Sequence, residues 1–186
     1  YLQTAAQNAA MMADHIITVS QYSRSAIAAA YGVMEDRMSV IHEAADADAF
    51  FPAYRGALEG EFRARYGIWR DYVLYVGSLE PKKNMDYLLQ AFSALRKLGH
   101  EMQLVLAGGS GGAEYDIGEA VVAFGVGEAT VVTGFLPDRY LPAAYGAAAA
   151  FVYPSFYEGF GLPPLEALAC GTPVVVSQAT SLPEVV

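Results

Sequence analysis

Cysteine and basic residues are scarce in this sequence of 186 residues. A single cysteine, Cys170, excludes an intramolecular disulfide and a zinc site built from several cysteines, and it favours a reducing, cytoplasmic location. Lys and Arg together number 11 against 20 Asp and Glu, and Arg139 is the only base beyond residue 100. Nucleic acids and anionic lipids are bound through clustered lysine and arginine side chains, which this sequence lacks. We therefore expect no nucleic-acid partner.

Long apolar runs are absent as well, although 54% of the residues are hydrophobic. That share excludes intrinsic disorder, and no uninterrupted run approaches the roughly 18 residues of a membrane span. No segment resembles a secretory leader. Tyr1 and Val186 both fall inside predicted helices, so we expect the sequence to be a fragment of a longer protein.

Beyond residue 70, short apolar runs alternate regularly with helical patterns. The predicted strands cover residues 72–76, 103–107, 130–133, 150–153 and 173–177, and the predicted helices cover 84–98, 115–124, 138–145, 162–169 and 182–186. This alternation predicts an α/β fold, a Rossmann-like parallel sheet with helices on both faces. Upstream, we expect helices over 1–13, from Ser20 or Ser23 to Tyr31 and over 58–66, and strands over 15–20 and 38–41.

Ligands of such sheets lie beyond the carboxyl ends of the strands, so the loops that follow the strands are the candidate ligand-binding segments. Those loops cover residues 77–83, 108–112, 134–138, 154–161 and 177–181.

The segment from Glu158 to Glu166 is the most informative of these. Gly159 and Gly161 allow the backbone to approach a ligand closely, and the free N–H groups before the Pro163-Pro164 helix start favour phosphate oxygens. Carboxylates would repel a phosphate, but they accept hydrogen bonds from the hydroxyl groups of sugars and ribose. The alternative interpretation involves no ligand: Glu166 complements the dipole at the start of its helix, and Glu158 is a solvated loop residue.

A second loop, Gly77-Ser78-Leu-Glu-Pro-Lys-Lys83-Asn, follows a predicted strand and opens a helix. Lysine is unfavourable at a helix N-terminus, which favours a functional reason for Lys83, namely contact with a pyrophosphate. The alternative is a pair of exposed lysines at a helix start.

Together these segments resemble the donor-binding half of glycosyltransferase family 4, which has the GT-B fold. The resemblance rests on the Glu158-x7-Glu166 segment, and it is supported by Val-Gly-Ser-Leu-Glu-Pro-Lys-Lys-Asn, Leu-Val-Leu-Ala-Gly-Gly, Val-Thr-Gly-Phe-Leu-Pro-Asp and Ser-Leu-Pro-Glu-Val-Val. It extends over residues 13–186. It implies three parts: 1–45, the remnant of an N-terminal Rossmann-like domain; 46–70, a linker and short helix; and 71–186, an incomplete donor-binding domain.

The resemblance implies a retaining transfer of a sugar from a nucleotide diphosphate sugar, of the GDP-mannose or UDP-glucose type, to an acceptor hydroxyl. Glu158 would contact the transferred sugar and Glu166 the ribose. Lys83 and the amides of Gly159, Phe160, Gly161 and Leu162 would hold the diphosphate, and Gly134, Phe135 and Leu136 would lie beside the base. Ser78 would also belong to the donor-binding residues. No cofactor or metal is implied, and His15, His42 and His100 lack ligand spacing.

The acceptor would be a glycan, a lipid-linked molecule or a small molecule. The intact protein would be cytoplasmic or peripheral to the inner face of a membrane. The Glu-Pro-Lys-Lys-Asn segment is similar to mannosyltransferase-like members. Many members have arginine at the position of Ser78, so this chain has one cation fewer at the diphosphate site.

The sequence leaves three other functional hypotheses open. They are a nucleotide-sugar binding module without turnover, another GT-B enzyme such as a sugar-nucleotide epimerase, and a nicotinamide-dependent dehydrogenase. The last is disfavoured because Gly77-Ser-Leu-Glu-Pro-Lys lacks the Gly-x-Gly-x-x-Gly pattern. We expect the fragment itself to be inactive. We also expect it to self-associate, through residues 1–50 or the exposed end of the sheet, because its partner domain is missing.

Overall fold

A computed structural model describes residues 2–52, 57–109 and 115–186 of the chain. Five parallel strands form its main sheet: β3 (Tyr72–Val76), β4 (Gln103–Ala107), β5 (Thr130–Gly134), β6 (Ala150–Tyr153) and β7 (Val174–Val176). Their spatial order is β5-β4-β3-β6-β7, so the chain starts near the centre, moves to one edge and returns to the other side. The expected parallel α/β sheet is confirmed.

Helices flank this sheet. They are α3 (Ala57–Tyr66), α4 (Met85–Lys97), α5 (Ile117–Ala123), α6 (Leu141–Gly146), α7 (Leu162–Ala169) and α8 (Leu182–Val185). Helix α4 lies beside α5, whereas α6 lies beside α3 and α7. No described helix combines the length and the apolar character that a membrane crossing requires.

Burial is complete only in the middle of the sheet. Every residue of β4 is buried, as are the first four of β3, in agreement with strands covered on both faces. The edge strands are more open than we expected from their apolar runs, and Val132 of β5 and Val175 of β7 are 42% and 57% exposed. An edge strand has only one strand neighbour, so less of its surface is covered.

The first part of the chain forms a separate two-stranded parallel sheet. Strands β1 (Ile16–Thr18) and β2 (Met38–Val40) pair with each other, and α1 (Leu2–Met12) and α2 (Gln21–Tyr31) lie beside them. Ser20 caps α2, since its hydroxyl accepts a hydrogen bond from the Ser23 amide at 3.0 Å. Gly32 ends this helix in the left-handed conformation.

Several predicted boundaries differ from the structure by one to three residues, among them the starts of three helices. The segment predicted as one helix over 138–145 begins as a 3₁₀ turn, Asp138–Tyr140, and α6 follows it. The helix predicted over 115–124 is shorter because Asp116 caps it, accepting from the Gly118 and Glu119 amides. Asn84 precedes α4 but caps nothing with its side chain. Residues 1, 53–56 and 110–114 lie outside the described residues, so the predictions for the first residue of helix 1–13, for part of the linker 46–70 and for most of the loop 108–112 are not compared.

Candidate donor-binding site

A cavity of about 400 Å³ lies at the carboxyl ends of β3, β4 and β5. Its walls include the ends of β3 and β4, the residues that follow them, and the segment between β5 and the start of α6: Val76, Gly77, Ser78, Ala107, Gly108, Gly109, Phe135, Leu136, Asp138 and Leu141. The structure thus brings together Ser78, Phe135 and Leu136, which the sequence placed in one ligand site. Phe135 is 79% exposed, whereas Leu136 is buried and anchors its loop.

Glycine is required where the loops after these strands meet. The Gly108 amide donates to the Gly134 carbonyl at 2.8 Å, and the Gly77 amide donates to the Ala107 carbonyl at 2.9 Å. A Cβ atom on Gly108 would lie 1.8 Å from the Gly77 carbonyl oxygen. The backbones can therefore approach this closely, at the edge of the cavity, only in the absence of that side chain.

Lys83 is buried, contrary to the alternative of an exposed helix-start lysine. Its Nζ donates to Glu158 Oε1 at 2.6 Å and to the Tyr153 hydroxyl at 3.3 Å. The side chains of Lys83 and Glu158 are 11% and 13% exposed. Two of the predicted site residues, 75 positions apart in sequence, thus form a nearly buried ion pair.

The backbone after β3 explains why Lys83 points inward. Pro81–Lys83 form one 3₁₀ turn, which ends at Asn84 in the left-handed conformation with φ of 59°. The Asn84 side-chain amide donates to the Pro154 carbonyl at 3.1 Å, and the Phe156 amide donates to the Lys82 carbonyl at 3.1 Å. These bonds fasten the turn to residues 154–161, which we call the Glu158 loop, and so bring Lys83 to Glu158.

Glu166 lies in the second turn of α7 and accepts a hydrogen bond from the Tyr145 hydroxyl at 2.7 Å. Burial raises the pKa of the Glu166 carboxyl, and the charge of Asp138 raises it further, although the Tyr145 hydrogen bond opposes this shift. Asp138, whose charge acts on Glu166, is one of the residues that line the cavity. A half-buried carboxylate such as Glu166 is able to accept hydrogen bonds from ligand hydroxyls.

Gly161 connects the Glu158 loop to α7 with φ of 127°. A Cβ atom on Gly161 would lie 2.9 Å from Leu182 Cδ2, so both the backbone conformation and the space favour glycine. Around it, Phe160 is buried, while Gly159 and Leu162 are exposed. The predicted phosphate-binding amides are therefore on a turn that packing against α8 holds in place.

Three buried tyrosines form hydrogen bonds with the predicted site residues. Sequence reasoning missed all three. The Tyr75 hydroxyl donates to the Ser78 carbonyl at 2.9 Å, Tyr153 contacts Lys83, and Tyr145 contacts Glu166. The Tyr75 and Tyr153 rings stack with centroids 5.7 Å apart. Burial raises the pKa of all three phenols, so they stay protonated at neutral pH. Their signal in the sequence was weak, because tyrosines in apolar strands indicate core packing.

The first 45 residues reach the Glu158 loop, a contact that no sequence motif indicates. The Glu184 carboxylate of α8 accepts bonds from the amides of Gln21 and Tyr22 at 2.7 and 2.8 Å. The Tyr22 and Tyr157 rings meet edge to face, with centroids 5.7 Å apart. His42, for which we found no ligand spacing, lies 3.5 Å from Glu184. Within the described ranges, no cluster of three or more His, Cys, Asp or Glu has a geometry that would hold a metal ion.

Comparison with known sequences gives one family. Residues 61–186 match the family described as glycosyl transferases, group 1. Among curated proteins, the chain is 39% identical to the O-antigen chain mannosyltransferase B of Escherichia coli, over all of this chain and 49% of that protein. It is 32% identical to the serotype-specific mannosyltransferase WbdA of Escherichia coli, over 94% of this chain and 22% of that protein. The chain therefore spans half or less of the length of these relatives.

Solved structures have the same fold. HepE of Anabaena, crystallised with UDP and glucose, superposes with a TM-score of 0.86 at 24% identity, over all of this chain and 50% of HepE. Sucrose-phosphate synthase of Thermosynechococcus elongatus superposes with a TM-score of 0.77 at 28% identity, over 97% of this chain and 44% of the synthase.

Proposed function

Since the chain belongs to the group 1 glycosyl transferases, we propose that it binds a nucleotide diphosphate sugar and that the whole protein transfers this sugar to an acceptor hydroxyl. The observation that carries the proposal is the nearly buried pair of Lys83 and Glu158, which joins the loops after β3 and β6. The loop after β3 also contributes Ser78 to the cavity at the strand ends. HepE, which has this fold, was crystallised with UDP and glucose and with UDP-glucose.

In this proposal, the charge of the donor is met locally in a chain of net charge −9. Lys83 and the amides of residues 159–162 neutralise the diphosphate, with Ser78 alongside. The base lies against Gly134, Phe135 and Leu136, and Glu166 accepts from the ribose hydroxyls. Glu158 contacts the transferred sugar, so its carboxylate must leave Lys83 when the diphosphate binds.

The proposed reaction breaks the bond between the anomeric carbon and the oxygen of the β-phosphate. The acceptor hydroxyl oxygen bonds to that carbon on the same face, and its proton passes to the departing diphosphate. Negative charge accumulates on the diphosphate as the bond breaks, and fixed donors stabilise developing charge most effectively. In this proposal, Lys83 and the loop amides provide those donors without a metal or other cofactor.

A mannosyl donor is our first choice, because the two curated relatives described above are named mannosyltransferases. The corresponding donor is GDP-mannose, and UDP-glucose is the second choice. We propose a glycan, a lipid-linked molecule or a small molecule as the acceptor, and a cytoplasmic location or one at the inner face of a membrane. The proposed parts are 1–45, 46–70 and 71–186, and the donor binds to the last of them.

The test is an assay for labelled-sugar transfer from GDP-mannose, UDP-glucose and related donors by a protein that carries this chain and both halves of the cleft. We expect transfer from one donor with retained anomeric configuration, and its loss in Glu158→Ala. Release of the sugar to water, isomerisation of the donor, or binding without turnover would contradict the proposal and favour an epimerase or a binding module.

A further inference from the structure

The carbonyl groups of residues 158–160 in the Glu158 loop are bound by three serine hydroxyls. Ser181 Oγ lies 3.0 Å from the Glu158 carbonyl oxygen and 2.7 Å from that of Phe160, and shares its proton between them. Ser20 and Ser23 donate to the Gly159 carbonyl at 2.7 and 3.1 Å. Three consecutive carbonyls, at positions 158, 159 and 160, are thus bound by hydroxyls from distant parts of the chain.

These contacts determine where the next three amides point. In a planar trans peptide the C=O and N–H bonds point in opposite directions, and the described residues contain no cis peptide. Each amide at 159, 160 and 161 therefore points away from the serine that binds the preceding carbonyl. Within the described part of the chain, none of these three amides donates to an acceptor. They remain available to a ligand.

The serines form one bonded unit. Ser20 and Ser181 are fully buried, and Ser20 Oγ lies 2.9 Å from Ser23 Oγ. Glu184, three residues after Ser181, binds the Gln21 and Tyr22 amides at the start of α2. A buried hydroxyl needs only one partner, so burial alone does not explain why all three converge on successive carbonyls directly before α7.

We propose that Ser20, Ser23 and Ser181 are positioning residues that aim the amides of residues 159–161 at the donor diphosphate. The inference rests on the proposed function, because it assumes that a diphosphate binds there. The serines do not touch the ligand; they act through the peptide planes between them and it. Two of them, Ser20 and Ser23, lie outside residues 61–186, which match the family. The segment 1–45 therefore contributes to donor binding through its contact with this loop.

The test compares the affinities of a nucleoside diphosphate and the matching monophosphate, GDP with GMP and UDP with UMP, by calorimetry. The variants are Ser181→Ala and the double variant Ser20→Ala/Ser23→Ala. The control is Thr130→Val, which removes a hydroxyl-to-carbonyl bond of 2.8 Å at the opposite end of β5. We expect each serine variant to lower the diphosphate-to-monophosphate affinity ratio about threefold to tenfold, the size of one lost hydrogen bond. Thr130→Val should leave the ratio unchanged.

An unchanged ratio in the serine variants would overturn this inference, as would an equal loss of affinity for both nucleotides, which indicates general loosening. If either variant fails to fold, Ser23→Ala alone decides, since Ser23 is only partly buried. If the unaltered chain binds no nucleoside diphosphate, the proposed function fails and this inference fails with it. If the unaltered chain binds the diphosphate but the serine variants leave the diphosphate-to-monophosphate affinity ratio unchanged, this inference is refuted and the proposed function is not.

Discussion

Lys83 and Glu158 are charged side chains that are nearly removed from water and depend on each other. Their contact is 2.6 Å, and the Tyr153 hydroxyl is their nearest additional partner. Ionised groups in such surroundings are costly unless paired. The pair thus holds both groups in position. In the proposed function, the diphosphate competes with Glu158 for Lys83.

Removing one partner of this pair should be worse than removing both charges. We expect Lys83→Met to lower the free energy of unfolding by about 3 kcal/mol, because it leaves the Glu158 carboxylate buried and unpaired. Adding Glu158→Gln to that variant should restore part of the loss. Urea denaturation of the two single variants and the double variant measures this coupling. Additive losses would show that the two side chains do not interact.

Glu166 should make ribose recognition depend on pH. Because its pKa is raised, its carboxylate takes up a proton at a higher pH than an ordinary glutamate does. Protonation removes acceptor capacity, so the preference for a ribonucleoside diphosphate over its 2′,3′-dideoxy analogue should fall as the pH is lowered towards that pKa.

Calorimetric titrations of both nucleotides across pH measure this preference, and the comparison cancels the titration of the phosphates. Glu166→Gln is the control, and it should give a lower preference that no longer varies with pH. A preference that stays constant in the unaltered chain would count against contact between Glu166 and the ribose.

At the scale of elements, the loops after β3, β4 and β5 depend on close backbone contact. Gly108→Ala should destabilise the chain by about 2 kcal/mol or more, because its Cβ would overlap the Gly77 carbonyl and force both loops apart. Gly109→Ala is the matched control, since a Cβ there meets no atom within 4 Å. Thermal unfolding of both variants checks this, and equal melting temperatures would refute it.

The strands and most helices were predictable because each is a short apolar run or amphipathic segment bounded by glycine, proline or a capping residue. The strand predicted over 72–76 and β3 agree to the residue, as do residues 103–107 and β4. Asp138 was misread as the start of a regular helix, because the sequence does not show that a 3₁₀ turn precedes Pro142.

The candidate site was predictable only in part. The glycines and carboxylates around Glu158 stand out because their spacing has few purely structural explanations. The burial of Lys83 and the hydroxyl contacts of Tyr75, Tyr145 and Tyr153 depend on which loops meet in space. Local sequence holds no record of such long-range contacts, so these features appear only once the sheet is assembled.

Two of the apolar surfaces that the described residues expose are candidates for contact between copies of the chain. One is a groove of about 560 Å³ between α4 and the β6–β7 side of the sheet, where Tyr87 and Val175 are exposed. The other is the first part of the chain, where Met12 and Ile17 are 84% and 66% exposed. Patches of this kind favour association.

We therefore expect the 186-residue chain to self-associate, with an apparent mass in light scattering that rises with concentration. Ile17→Lys should reduce that rise if the first part of the chain forms the contact, and Val175→Lys should reduce it if the groove does. Both substitutions should leave the fold intact, because both positions are exposed. A constant monomer mass over the whole concentration range would contradict this expectation.

In the proposed function, this chain of net charge −9 binds a nucleoside diphosphate through Lys83, the Glu158 loop and Glu166. Calorimetric titration of the chain with GDP, UDP and a nicotinamide dinucleotide is the direct test. We predict binding of at least one nucleoside diphosphate, weakened by Lys83→Ala and by Glu166→Ala. Preference for the dinucleotide, or nucleoside diphosphate affinities that neither substitution changes, would contradict the claim.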